Sequence, residues 1–418
     1  MHILLVADGR SPITLRWLDN LRELGFTFSL VSTFPCPPPP DAVHFAVVPV
    51  AFSGLLGGKP PSSQSAARTG TTASPSRHWV SALRRILLPL RYRLAPLSLP
   101  PAARRYRQVL NLVQPDLVHA LRIPFEGILA LATPQDLPLA VSIWGNDLTL
   151  HAPATPQMTK WTRAVLQRAD GLHADAARDL RLALAWGFPP DRPTLLIPTS
   201  GGIDLQRIQH ARRELPAELE ERIPPHQALV INPRGVRAYT CTAAFFQSIP
   251  LIWEQFPQTV FVCPGMQGER EAETWKERLH LDERVVLLPS LPQAQLWGLF
   301  ARSAVSVSVT THDGTPNTLL EAMACGSFPV AGDLESIREW ITPGVNGLLV
   351  ESQKADSIAA AVVLALSSPH LIRQAAEINA QRIAERADAA LMRPRLEAFY
   401  VQVAGQGGKS GGQVKLAE

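Results

Sequence analysis

Cysteine is scarce in this chain: Cys36, Cys241, Cys263 and Cys325 stand far apart, with no C-x-x-C pairing. That spacing excludes a zinc ribbon or a disulfide framework and fits a reducing, cytoplasmic setting. Apolar runs are short. No segment reaches about 18 unbroken apolar residues, so no transmembrane helix is expected. No basic stretch, long apolar core or cleavage site precedes the strand-like residues 2–7, so no signal peptide is expected. The loop after that strand lacks G-x-G-x-x-G, which removes the dinucleotide fingerprint. No Asp-x-Asp motif stands in a place suited to a metal, and no internal repeat is visible beyond two similar halves.

The 418 residues exceed one ordinary core, so two domains are the default. A hydrophobic share of 46% with 18% charged residues describes a globular protein and excludes a disordered one. The net charge of +4 is uneven: residues 1–210 hold 21 Lys/Arg against 13 Asp/Glu, and the remainder is acidic. A basic first half points to an anionic partner there. Residues 83–107 concentrate the effect, with seven arginines and no acid interleaved with leucines. Such a stretch can lie on anionic lipid, or it can form short surface helices whose arginines snorkel.

The densest signal lies at residues 312–326, His-Asp-Gly-Thr-Pro-Asn-Thr-Leu-Leu-Glu-Ala-Met-Ala-Cys-Gly. A valine-rich strand precedes it, and Asp313-Gly314 is a turn signal. Thr315 is expected to cap a helix with Pro316 in its first position, and Gly326 to end it. This pattern sets free backbone N–H groups, which attract phosphate, beside two carboxylates able to accept from sugar hydroxyls. On spacing alone, Asp313 reads equally as a turn residue and Glu321 as a solvated helix residue.

The whole stretch resembles the Glu-x7-Glu region of the family 4 (group 1) retaining glycosyltransferases, in the variant that begins Asp-Gly-Thr-Pro. The resemblance implies that Asp313 holds donor-sugar hydroxyls, that Glu321 holds the ribose of a nucleotide diphosphate, and that amides near Thr318 and Leu319 hold the diphosphate. Pro233-Arg234-Gly235-Val236-Arg237 resembles the family's phosphate-binding loop. It lacks the usual lysine, so Arg234 is the firmer phosphate ligand and Arg237 a substitute. Ser142-Ile143-Trp144-Gly145-Asn146-Asp147 resembles the family's His-Gly-x-Asp turn, with Trp144 where histidine is common. Asp147 there either contacts a substrate or caps the following segment. Gly9 and Arg10, in the loop after the first strand, stand either as donor-side residues or as a plain turn. His119 and Arg122, read as lying at a strand end, are acceptor-side candidates, with a structural histidine as the other reading.

The implied fold is α/β GT-B: two doubly wound Rossmann-like domains facing each other across a cleft. Residues 1–212 would form the acceptor-side domain and 226–385 the nucleotide-sugar domain. The charged stretch 214–225 would link them, a helix over 388–404 would pack back on the first, and 405–418 would be a flexible tail. The implied reaction moves a hexose-type sugar from a nucleotide-diphosphate donor to an acceptor hydroxyl with retention, in polysaccharide or glycolipid synthesis at the cell surface. The nucleotide sugar is a co-substrate, and no other cofactor, no metal and no nucleic acid is expected. The setting would be cytoplasmic, with peripheral contact to anionic membrane through 83–107. A nucleotide-sugar 2-epimerase and a non-catalytic binding module are the alternatives; the first lacks a persuasive pair of acid/base carboxylates.

Overall fold

The computed structural model describes residues 1–51, 53, 98–198, 200–211, 215, 217–223 and 227–406. They divide into two compact units. Met1–Asp175, Asp179–Gly201 and the chain from Arg393 onward form the first; Ala176–Arg178 and Gly202–Met392 form the second.

The first unit is built on seven strands: β1 (His2–Ala7), β2 (Thr27–Ser32), β3 (Phe45–Val47), β4 (Leu117–Ala120), β5 (Leu139–Ile143), β6 (Gly171–Ala174) and β7 (Thr194–Leu196). They pair in parallel in the order β3-β2-β1-β4-β5-β6-β7. Their sequences explain this arrangement. Ile3 to Ala7 and all of β4 and β5 are buried, as near-continuous apolar strands must be when helices cover both faces of a parallel sheet. The helix Pro12–Glu23 follows β1; Ser11 Oγ accepts from the Ile13 amide, Pro12 opens the helix, and its inner face buries Trp17, Leu18 and Leu21.

The second unit repeats the plan with β8 (Leu229–Ile231), β9 (Val260–Pro264), β10 (Val285–Leu288), β11 (Val305–Ser308), β12 (Phe328–Gly332) and β13 (Leu348–Val350). Their order is β10-β9-β8-β11-β12-β13, again all parallel. Two apolar clusters fill it. One gathers Ile231, Phe300, Leu320 and Met323, the other Phe245, Phe246, Phe261 and Val307. The stretch expected as a linker carries a helix, Ala217–Arg222, and buries Leu219 and Ile223 in the first of these clusters.

In each sheet the strand order reverses once, between β1 and β4 and between β8 and β11. Open parallel sheets take ligands in the crevice outside the carboxyl ends of the strands at such a reversal.

The C-terminal helix, Ala389–Gln406, places Tyr400 in the core of the first unit. The indole N–H of Trp17 donates to the Tyr400 hydroxyl at 2.8 Å, and that hydroxyl lies 2.7 Å from His119 Nδ1. His119 Nε2 lies 2.9 Å from Ser142 Oγ, and Ser142 Oγ 2.8 Å from His173 Nδ1. His173 Nε2 ends the chain at the carbonyl of Ile197, 3.1 Å away. An indole can only donate and a carbonyl can only accept. With both imidazoles neutral, the chain then runs in one direction, Trp17 to Tyr400 to His119 to Ser142 to His173 to Ile197, each ring carrying its proton on Nε2.

Among the described residues no single helix is long and apolar enough to cross a membrane. Residues 83–97 of the basic stretch and 407–418 of the expected tail lie outside the described residues. The described remainder of the basic stretch is helical and buries Ala102 and Tyr106, with Arg104, Arg105 and Arg107 exposed.

Candidate active site

The second unit's reversal is built from three pieces. β8 is followed by Asn232, whose side-chain oxygen accepts from the Arg234 amide at 3.1 Å and tightens the loop. β11 leads into a turn at 311–316. The helix Asn317–Ala324 follows, with Leu319, Leu320, Ala322 and Met323 packed inward. Its end is a Schellman closure: Ser327 N donates to Ala322 O at 3.0 Å and Gly326 N to Met323 O at 3.1 Å, with Gly326 at φ +86°. Its start differs from the expectation. Pro316 is the cap residue and makes no side-chain capping bond. Thr315 Oγ1 instead accepts from the Trp340 indole at 3.0 Å. A helix start without a side-chain cap keeps donor groups and positive dipole for a ligand.

Arg234 closes this site. Its Nη2 donates to Asp313 Oδ2 at 2.5 Å and its Nη1 to Thr318 Oγ1 at 3.1 Å, so one guanidinium spans the acid and the first turn of the helix. Thr310 Oγ1 also donates to Asp313 Oδ2, at 3.3 Å, and the Asp313 carbonyl accepts from Ser336 Oγ at 2.8 Å. The pair is largely covered, with side-chain exposures of 10% and 16%. The buried Nε of Arg234 makes no hydrogen bond among the described residues. Glu321, three residues beyond Thr318 and so on the same helix face, is buried and accepts from Gln293 Nε2 at 2.7 Å.

Two expected donor residues sit otherwise. Leu319 is buried, and its amide closes onto Pro316 O at 3.0 Å. Arg237 is exposed and donates to the Tyr239 hydroxyl at 3.0 Å; no contact among the described residues joins it to Arg234.

The first unit's reversal gathers the remaining candidates. Gly9 is buried, its amide donating to Ser32 Oγ at 3.0 Å; a Cβ there would stand 2.5 Å from Cys36 Sγ, so the loop passes too close for any side chain. Arg10 binds Asp8 through Nε and Nη2, both at 3.0 Å, and lies 3.8 Å from the centre of the Phe34 ring. Arg122 Nε donates to Asp147 Oδ1 at 2.9 Å and its Nη2 to Asn146 Oδ1 at 2.9 Å, with its guanidinium 4.9 Å from the Trp144 ring.

Asp147 is fully buried and organises the loop: its Oδ2 accepts from the amides of Ile123 and Trp144, each at 3.1 Å. Burial pushes its carboxyl above the usual aspartate range, against the pull of Arg122 and the two amides. His119 lies inside β4, not at the strand's end, and belongs to the Trp17–Ile197 chain. Burial, reinforced by His173, holds it well below the ordinary histidine value, and burial brings His173 down to about 4.

A cavity of about 220 Å³ opens here, lined by first-unit residues only. Trp144, Phe125, Glu126 and Asp8 border it. Glu126, Phe125 and Asp8 had not been singled out. For Phe125 and Glu126 the sequence signal is the Pro124-containing loop after β4, which does not reveal that Phe125 adopts φ +68° in the kinked turn Ile123–Gly127; for Asp8 it is the Asp8-Gly9 turn after β1.

The family model described as glycosyl transferase 4-like domain matches residues 9–198. That described as glycosyl transferases group 1 matches residues 238–368. A curated relative, D-inositol 3-phosphate glycosyltransferase of Geodermatophilus obscurus, is 27% identical over 227 residues, 52% of this chain and 50% of that protein, so the match spans half the relative's length. Sucrose-phosphate synthase of Thermosynechococcus elongatus has a TM-score of 0.70 at 16% identity, covering 97% of this chain and all of that one. Anabaena HepE in complex with UDP-glucose scores 0.68 at 15% identity, covering 96% and 99%. A UDP-forming trehalose-phosphate synthase of Burkholderia xenovorans scores 0.69 at 14%, also covering 96% and 99%. At these identities the solved structures establish the fold, which is GT-B.

Proposed function

Because this chain belongs to the group 1, family 4-like glycosyltransferases, we propose that it moves a hexose-type sugar from a nucleotide-diphosphate donor to an acceptor hydroxyl with retention at the anomeric carbon. The observation that carries this reading is the cluster of Arg234, Asp313 and Thr318 at the second unit's reversal. A guanidinium in contact with an uncapped helix start suits a diphosphate. In the proposed complex Arg234 and the first helical turn hold the departing phosphate, Asp313 takes sugar hydroxyls and Glu321 the ribose.

The bond between the anomeric carbon and the diphosphate oxygen breaks, and the acceptor oxygen bonds to that carbon on the same face. The acceptor's proton passes to the leaving diphosphate. Positive charge fixed in advance at Arg234 and the helix stabilises the negative charge developing there, so the reading assigns no step to a metal or other cofactor. A glycosyltransferase and two sugar-phosphate synthases among the similar proteins favour transfer over the isomerase and binding alternatives.

The reading extends to cell-surface polysaccharide or glycolipid synthesis on the cytoplasmic side, with contact to anionic membrane through 83–107. The exposed Arg104, Arg105 and Arg107 support it. Replacing these three with glutamine should reduce flotation with phosphatidylglycerol vesicles; unchanged flotation contradicts the membrane contact. Turnover is tested with a panel of UDP-, GDP- and ADP-sugars and sugar acceptors. Release of nucleotide diphosphate and an NMR-defined product of unchanged anomeric configuration is expected. An inverted product removes retention, and interconversion of the donors without release would identify an isomerase.

A further inference from the structure

The cavity beside Trp144 has features that the family assignment does not explain. It sits at the first unit's reversal, between the ends of β1 and β4, where a ligand is expected. At about 220 Å³ it falls below the roughly 300–1,000 Å³ of sites for drug-sized molecules, so it admits one ring. Its walls include the aromatic rings of Trp144, Phe34 and Phe125, with carboxylates from Glu126 and Asp8 among them. Flat apolar walls suit the C–H face of a sugar-like ring, and carboxylates accept from its hydroxyls.

The chain also holds this shape at a cost. A kinked turn, Ile123–Gly127, in which Pro124 and Phe125 leave helical geometry, and a π-helical turn, Asp147–His151, both supply lining residues, and π-helical turns concentrate at functional sites. Phe125 takes a left-handed backbone conformation, unfavourable for an aromatic residue. The result is that Glu126, the next residue, is buried at the cavity with its Oε1 accepting from Thr33 Oγ1 at 2.7 Å.

The electrostatics discriminate among acceptors. Each guanidinium near the cavity is engaged by a carboxylate, Arg122 by Asp147 and Arg10 by Asp8. The lining itself carries the carboxylates of Asp8 and Glu126, the guanidinium of Arg122 and the imidazole of His151, and Asp147 and Arg10 stand behind them in the two ion pairs. A phosphate placed there would bring about two further negative charges beside Asp8 and Glu126.

Resting on the transferase reading, we propose that the acceptor is a single uncharged polyhydroxylated ring, stacked against Trp144 and oriented by Glu126, and that phosphorylated acceptors are rejected. The basic charge of the first half then serves something other than acceptor choice. Glu126 is a positioning residue, setting which hydroxyl is presented.

Saturation-transfer NMR on the full chain without donor tests this directly. The probes are competing pairs: methyl glucoside with glucose 6-phosphate, methyl mannoside with mannose 6-phosphate, and myo-inositol with inositol 1-phosphate. The uncharged member should dominate in at least one pair, and Trp144→Ala should abolish its signal while the circular dichroism is unchanged. Glu126→Gln keeps an oxygen for Thr33 and should reduce the preference about tenfold or more. In turnover the same variant should raise the KM of the uncharged acceptor more than it lowers kcat. Dominance of the phosphorylated members, no binding by any pair, or an unchanged preference in Glu126→Gln overturns the proposal. Nucleotide release separates the two failures. Donor turnover with phosphorylated acceptors preferred leaves the transferase intact, whereas no release from any donor removes the transferase reading itself.

Discussion

At the reversal between β8 and β11, the guanidinium of Arg234 lies against Asp313 and reaches Thr318 in the first turn of a helix with no side-chain cap. At the corresponding reversal between β1 and β4, Arg122 is turned back onto the fully buried Asp147, and aromatic walls surround the opening. The two sheets share one topology and place their loops alike, yet one site presents its cation near the donor groups of a helix and the other ties its cation into the loop. Topology fixes where ligands go, and loop chemistry fixes which ones.

That contrast makes Asp147 architectural. Asp147→Ala removes the acceptor for Arg122 and for the amides of Ile123 and Trp144. The expected loss is toward the lower end of about 3–5 kcal/mol, because Arg122 retains some solvent. Urea denaturation measures it; a loss well below 1 kcal/mol would make Asp147 a ligand-binding group instead.

The histidine chain sets a pH limit on the first unit. Burial depresses both histidines, His173 to about 4, against an ordinary value near 6.5, so between these pH values the unfolded chain binds more protons than the folded one. Stability from this source is complete above about pH 6.5 and falls as pH drops toward 4. Denaturation midpoints at pH 7, 5.5 and 4.5 should decline in that order, and His173→Gln should flatten the decline. Equal slopes in wild type and variant would contradict the neutral chain.

A smaller effect is expected at Glu321. Its removal leaves Gln293 without that carboxylate but adds no buried charge. Glu321→Ala should raise the donor KM about tenfold, near 1.4 kcal/mol, with a smaller change in denaturation midpoint. A reversed ranking would make the residue structural.

Much of this was legible locally. Residues 2–7 and 304–309 announced β1 and β11 by unbroken apolar character, and residues 312–326 marked the turn and helix where Asp313 and Thr318 meet Arg234. What the sequence concealed depends on distant partners. Thr315 resembles a cap until Trp340 takes its hydroxyl, 25 residues away. His119 resembles a strand-end ligand until Tyr400, 281 residues on, supplies its partner. The kink at Phe125 has no periodic signature, so in the sequence Glu126 reads as an ordinary loop residue. Arg237, the last residue of the phosphate-loop motif, turns to Tyr239, a choice that side-chain reach alone does not decide.

The central claim is that Arg234 and the helix start at 317 form a diphosphate site. Calorimetry of UDP against UMP, and of GDP against GMP, on wild type and Arg234→Ala tests it most directly. Wild type should prefer one diphosphate over its monophosphate, and Arg234→Ala should lose about 2.7–4 kcal/mol of that preference with its fold intact. Equal binding of mono- and diphosphate by wild type, or an undiminished preference in the variant, would contradict the account.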